Sequence, residues 1–297
     1  MKISVIGAGN VGASVANALL LRGVADEIAL VDIFGNVALA KAMDLAQSAA
    51  VFGIDIKVDG GDDFSLIKGS DIVVITAGSP RKEGQTREDL LLKNAGIVKS
   101  TVEHIVKFAP NSIIITVTNP LDVLNFVVYK ASGFDKKRII GMAGELDSAR
   151  LKFEIAKKLN LKNSEFKAHI IGSHNDDMLV LKENVGVNLD EASFSEVAHE
   201  AKTGGAKIVK LLGTSAYYAP GAAVAKMCEA IKTNSDEWLS CCVVVDENLT
   251  CGRRVKLGKD GIREIKELSA NEKEAIAKSQ NDIKKNIEFL LESKTVV

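Results

Sequence analysis

Apolar positions in the first half of the chain fall into short unbroken runs separated by stretches with helical spacing. Residues 3–6 form such a run and end in glycine, and 11–21 then carry apolar residues three and four apart. Residues 28–31 predict a second strand and 37–51 a second helix, followed by a weaker extended stretch at 54–58. The β-branched runs 72–76 and 113–117 flank a long helical stretch over 87–108, and 139–140 gives a last short strand. Strands apolar at every position are covered on both faces, so the pattern predicts a parallel sheet sandwiched between helices.

After about residue 147 the rhythm changes. A helix over 147–159 leads into short strands at 168–171 and 178–181. Helices near 196–202 and 215–232, an apolar strand at 239–245 and a charged terminal helix at 272–291 complete the series. The expected fold is α/β: an N-terminal doubly wound parallel sheet over 1–145, then a mixed α+β domain over 146–297.

A length of 297 residues suits two lobes. Hydrophobic residues make up 46% and charged residues 26%, as in ordinary soluble domains, and no apolar run approaches the ~18 residues of a membrane helix. The formal net charge of −1 gives no bulk attraction to nucleic acid or an anionic membrane, so neither is expected as a partner. The N-terminus reads as a buried strand rather than a secretory leader, and a cytoplasmic protein is expected. Cys228, Cys241, Cys242 and Cys251 form no C-x-x-C pair and have no histidine at zinc-like spacing; reduced buried thiols and no metal are expected.

Gly7-Ala8-Gly9-Asn10-Val11-Gly12 matches G-x-G-x-x-G between a strand and a helix. The first glycine permits the tight turn, the second lets the main chain approach a pyrophosphate, and the third lets the helix pack close to the strand. Exposed N–H groups at the helix start then receive phosphates. Alone the pattern is weak. Asp32 strengthens it, because it ends the second strand twenty residues after Gly12, where a carboxylate accepts from both ribose hydroxyls. The same charge repels a 2′-phosphate, so the reading is a Rossmann domain that takes NAD rather than NADP.

Further along, Arg81 and Arg87 lie in a polar, glycine-bearing loop with the composition of a mobile lid. Asn119, in Val117-Thr118-Asn119-Pro120, sits at the carboxyl end of a strand, where α/β folds place ligands. Asp147 and Arg150 are three apart on a new helix and share a face. His174 follows a short strand. Each has an ordinary explanation: lid arginines are often solvated, Asn-Pro is a common turn, Asp147 could cap a helix, and a lone histidine is usually structural. Together they provide a proton donor, a carboxylate to hold it charged, a guanidinium for a substrate carboxylate and another to polarise a carbonyl. Hydride transfer to a 2-oxo acid requires that set.

In these motifs, and in Leu146-Asp147-Ser148-Ala149-Arg150 and Ser215-Ala216-Tyr217-Tyr218-Ala219-Pro220, the chain resembles the lactate/malate dehydrogenase family over nearly its full length. The resemblance implies that His174 is the proton donor and acceptor and Asp147 its orienting carboxylate. It implies that Arg150 clamps the substrate C1 carboxylate, that Arg87 sits over the carbonyl oxygen, and that Asn119 bonds that oxygen and touches the nicotinamide side. Gly7, Gly9, Asn10, Val11, Gly12, Asp32, Asn94, Val117 and Asn119 would line the cofactor. The lactate branch carries glutamine where this chain has Arg81; a second arginine suits a second carboxylate, which makes the chain most similar to the lactate-dehydrogenase-like malate branch. That implies malate/oxaloacetate as the small-molecule substrate and a homo-oligomer, tetramer or dimer.

The alternatives are a dehydrogenase of lactate or another 2-hydroxy acid, and an NAD-sensing protein without turnover; a sensor has no need of a proton relay. Four departures from the family pattern stand out, the first being Glu83 in place of a common lid proline. Asn175 replaces a glycine, and its tolerance of unusual backbone angles is expected to preserve the turn. Glu145 replaces an apolar residue. The stretch 243–255 is short and carries Arg253 and Arg254 where apolar residues are usual, which predicts an altered surface or assembly.

Overall fold

The computed structural model describes residues 1–80 and 84–293. In chain order the first lobe contains β1 (Lys2–Ile6), α1 (Asn10–Leu21), β2 (Glu27–Val31), α2 (Gly35–Phe52), β3 (Lys57–Gly61), β4 (Ile72–Ile75), α3 (Arg87–Phe108), β5 (Ile113–Thr116), α4 (Leu121–Ser132) and β6 (Ile139–Gly141). The second contains α5 (Gly144–Leu159), β7 (Ala168–Ile171), β8 (Leu179–Val185), α6 (Glu191–Leu212), α7 (Tyr218–Thr233), β9 (Leu239–Asp246), β10 (Leu249–Gly258), β11 (Gly261–Ile265), α8 (Ala270–Ala275) and α9 (Ala277–Glu292).

The main sheet runs β11-β10-β9-β6-β5-β4-β1-β2-β3. Its six strands from β6 to β3 are parallel, and the order reverses between β1 and β4. Alternate residues of one strand feed opposite cores, as the twofold pleat requires. Ile72 and Val74 pack with α1, α2 and α7, whereas Val73 and Ile75 pack with α3, α4 and α9. That is why the strands read as unbroken apolar runs. A third, smaller core joins α5, α6 and β7.

Several elements differ from the sequence expectation. α4 has no amphipathic signature because all but three of its twelve residues are buried, which erases the helical period. β3 starts later than expected and is not fully buried, and β8 runs on to Val185. α6 extends well beyond 196–202 at both ends, straight through Gly204-Gly205. The terminal helix divides at Ile276 into α8 and α9. The strands β9–β11 continue the parallel sheet through antiparallel pairing of β9 with β6.

Arg253 and Arg254 are not at the surface; they are 6% and 9% exposed. Arg254 forms an ion pair with fully buried Glu272 of α8 and donates to Asn184 Oδ1 at 2.8 Å, fixing the terminal helices to β10. Pairing and hydrogen bonding are what make a buried charge tolerable. Glu145 is likewise buried and compensated, bonding Lys226 at 2.7 Å and accepting from the Ser240 main chain at 3.3 Å.

Candidate active site

The carboxyl ends of the parallel strands open into two adjoining cavities, of ≈ 870 and ≈ 820 Å³. Both lie at the order reversal between β1 and β4, the place where doubly wound sheets bind ligands.

The first cavity follows from the glycine turn. Gly7 has φ +108°, a region L side chains rarely adopt, and a Cβ on Gly12 would meet the Gly7 carbonyl oxygen at 1.8 Å. Only glycine therefore lets α1 start so close behind β1. Gly7, Gly9 and Asp32 line this cavity. Asp32 is held by two main-chain donors, Ala8 N–H at 2.6 Å and Phe34 N–H at 3.0 Å. Gly12 is buried behind the turn, Asn10 is exposed at the helix start, and Val11 reaches the second cavity. Beside Asp32, Ile33 and Phe34 are 78% and 67% exposed, an apolar rim suited to a flat base.

Sequence reasoning missed three residues that line this cavity, Lys41, Phe64 and His104. Lys41 donates from Nζ to the Ala8 carbonyl at 2.6 Å, and Phe64 stacks on His104 with ring centroids 3.9 Å apart. No local motif marks them; α2, α3 and the segment after β3 bring them to the cavity.

The second cavity gathers Val11, Asn94, Val117, Asn119, Arg150 and His174. His174 Nδ1 lies 2.7 Å from Asp147 Oδ2, and Asp147, 1% exposed, also accepts from Arg150 Nη1 at 3.1 Å. Asp147 occupies the first turn of α5, where the helix dipole favours a negative charge. Burial pulls the imidazole pKa down, but the charge and hydrogen bond of Asp147, then the charge of Asp122, outweigh it and leave the pKa raised.

The loop carrying His174 is fixed at several points. Ser148 Oγ accepts from the Ile170 main chain at 2.8 Å, and Gly172 and Gly252 exchange main-chain hydrogen bonds. The left-handed residue of this loop is Gly172, with φ +89°, rather than Asn175. Asn175 serves through its side chain instead, accepting from Ser173 Oγ at 2.7 Å and the Asp177 main chain at 2.8 Å. The turn therefore needs no special backbone angle at 175.

Asn94 is buried, and its amide is spent on protein partners. It accepts from Ser79 N–H at 2.8 Å and donates to the Asn119 carbonyl at 2.8 Å, joining the loop after β4 to the loop after β5. Gly205 was another missed residue. A Cβ there would meet Arg150 Nη2 at 3.2 Å, so a glycine in α6 leaves room for the guanidinium. Arg87 is not brought into the cavity; it is exposed at the first residue of α3, just after the Thr86 capping box. Arg81 and Glu83 lie outside the described residues. Among the described residues no His/Cys/Asp/Glu group is arranged to hold a metal, no helix is long and apolar enough to cross a membrane, and all four cysteines are buried free thiols.

Comparison with known proteins agrees with this geometry. Residues 1–141 match the family described as lactate/malate dehydrogenase, NAD binding domain, and residues 144–293 match its alpha/beta C-terminal domain. The malate dehydrogenase of Parabacteroides distasonis is 42% identical, covering 98% of each chain. The apo structure of malate dehydrogenase from Picrophilus torridus superposes with a TM-score of 0.93 at 38% identity, covering 98% of this chain and 97% of that one. The malate dehydrogenase of Archaeoglobus fulgidus in complex with NADH gives a TM-score of 0.89 at 37% identity, covering 98% and 99%.

Proposed function

Because the chain belongs to the lactate/malate dehydrogenase family, we propose that its cleft interconverts malate and oxaloacetate with NAD as cofactor. The observation that carries this reading is the His174–Asp147–Arg150 cluster, which shares a cleft with Asn119 next to the cavity lined by Asp32. We assign residues 1–145 to cofactor binding and 146–297 to the substrate side.

The glycine turn and Asp32 fit a dinucleotide: a Cβ on Gly9 would meet no protein atom within 4 Å, so the main chain there is open to a phosphate, and the exposed Ile33 and Phe34 flank the carboxylate that would take the ribose hydroxyls. We assign Gly7, Gly9, Asn10, Val11, Gly12, Asp32, Asn94, Val117 and Asn119 to holding the cofactor. The nicotinamide held there would supply hydride transfer to and from C2 of the substrate.

The chain's own residues handle the proton and the charges. With Nδ1 committed to Asp147, neutral His174 has Nε2 free to take the malate hydroxyl proton, and the imidazolium returns it in the other direction. Asp147 favours the charged imidazole and fixes its orientation. Arg150 spends one N–H on Asp147 and offers the rest of its fork to the C1 carboxylate. Asn119 bonds the C2 oxygen. Arg87, exposed in this structure, would polarise that oxygen as the lid closes and water is expelled. Arg81, on sequence position alone, would pair the second carboxylate. We further propose that the protein is cytoplasmic and a homo-oligomer; exposed Leu39, Met43, Val51 and Phe52 on α2, and Val209, Leu211 and Leu212 on α6, support burial against another copy.

Steady-state NADH absorbance kinetics on oxaloacetate and pyruvate test the substrate assignment. The unaltered protein should prefer oxaloacetate. Arg81→Gln should lower its kcat/KM by at least ~10²-fold and raise that for pyruvate, since a buried unpaired charge is costly on either side of the pair. A variant that kept its full preference would show that the second carboxylate is read elsewhere, and an unaltered protein that preferred pyruvate would overturn the malate reading.

A further inference from the structure

The turn that carries Asn119 continues into α4, whose second residue is Asp122. Asp122 is buried, and its Oδ2 accepts the main-chain N–H of His174 at 2.7 Å. Its carbonyl oxygen accepts from Thr250 Oγ at 2.6 Å, which fixes the residue to β10. Its other carboxylate oxygen, Oδ1, is buried and meets no N–H or O–H donor; the Cys242 thiol, a weak donor, is the other group against the carboxyl. A carboxylate half satisfied in the interior is destabilising, and an asparagine there would present the same acceptor without the charge. A role confined to holding the loop does not account for a charged group at this position. The groups facing Asp122 and His174 are Asp147 and Arg150 of α5, Cys242 of β9, and Cys251 with its neighbour Arg253 of β10.

We propose that Asp122 is a second, positioning carboxylate of the proton relay: it fixes the main chain of His174 and adds a negative charge that favours the protonated imidazole. Asp147 orients the ring through Nδ1, and Asp122 holds the backbone from the Asn119 turn, so the substrate-oxygen ligand and the proton carrier are tied to one anchor. Burial leaves the Asp122 carboxyl raised, against the pull of the His174 N–H and imidazole, while the Asp122 charge in turn helps to raise His174. The inference rests on His174 being the proton carrier of the proposed reaction.

The test is Asp122→Asn in the full chain, which keeps an oxygen for the His174 N–H and removes the charge. With NADH saturating, the basic limb of kcat/KM for oxaloacetate reports the His174 pKa of the loaded enzyme. That limb should move down by about one pH unit, with NADH affinity unchanged. Carbon-13 NMR of the imidazole should show the same fall without any substrate. A loss of turnover at every pH with the limb and the NMR titration unmoved would mean that Asp122 is only structural, and would overturn the proposal. In the unaltered protein labelled with carbon-13 aspartate, the Asp122 Cγ resonance should be that of an ionised carboxylate while His174 titrates. A protonated carboxyl through that range would overturn it equally, and this measurement does not require the variant to fold. Because both NMR readings are made without substrate, an unaltered protein that failed to reduce oxaloacetate would sink the functional reading alone.

Discussion

Replacing Asp147 by asparagine removes one charge and reverses one hydrogen-bonding partner at the centre of the cluster. Asp147 accepts at both oxygens, from His174 Nδ1 at 2.7 Å and Arg150 Nη1 at 3.1 Å, whereas asparagine accepts at one and donates at the other. The guanidinium does not give up a proton, so the amide oxygen must stay with Arg150 and the NH₂ must face the imidazole. Nδ1 then becomes an acceptor, the ring proton moves to Nε2, and the lone pair that takes the malate proton is lost. A hydrogen bond to a charged group contributes about 1.5–3 kcal/mol. At about 1.4 kcal/mol per pH unit, the imidazole pKa should fall by roughly one to two units. Turnover should fall by about 10²- to 10⁴-fold, the usual share of general acid–base catalysis. Asp147 does not line the cavity around Asp32, so NADH affinity should be unchanged. Steady-state turnover across pH, paired with NADH fluorescence titration, reads both quantities. Turnover within about tenfold of the unaltered protein would refute the relay, and a matching loss of NADH binding would point to collapse of the cleft.

Asp32→Ser should narrow the preference for NADH over NADPH, because it removes the carboxylate proposed to accept ribose hydroxyls and repel a phosphate; kcat/KM for both cofactors measures it. His169 should make the fold sensitive to acid. Burial, with the positive charges of Arg254, Lys226, Lys167 and Lys266, lowers its pKa to about 4. The unfolded chain binds this proton below about pH 6.5 while the folded chain does not, so the contribution is lost as pH falls from about 6.5 towards 4. Urea denaturation between those limits should show a loss of about 3 kcal/mol from this group, and His169→Gln should flatten that part of the slope.

The sequence by itself determined the elements whose signal is local. Strands buried on both faces are apolar at nearly every position, so 3–6, 28–31, 72–76 and 113–117 were legible, and α3 carries its own capping box at Thr86 and Asp89. Glycines forced by a tight turn, and Asp32 at a fixed offset from them, were legible for the same reason. What depends on distant partners was not. α4 loses its period because both faces are buried, and β9 joins the parallel sheet only because β6 offers an unpaired edge. Arg254 looked like a surface residue until Glu272 and Asn184, eighteen and seventy residues away, met it in the interior. Gly205, Lys41 and Asp122 belong to the site through positions that α6, α2 and α4 reach only after packing. A sequence records which groups are available for burial or charge. The fold decides which of them meet, because the energy of a buried polar group depends on its partner rather than on its own identity.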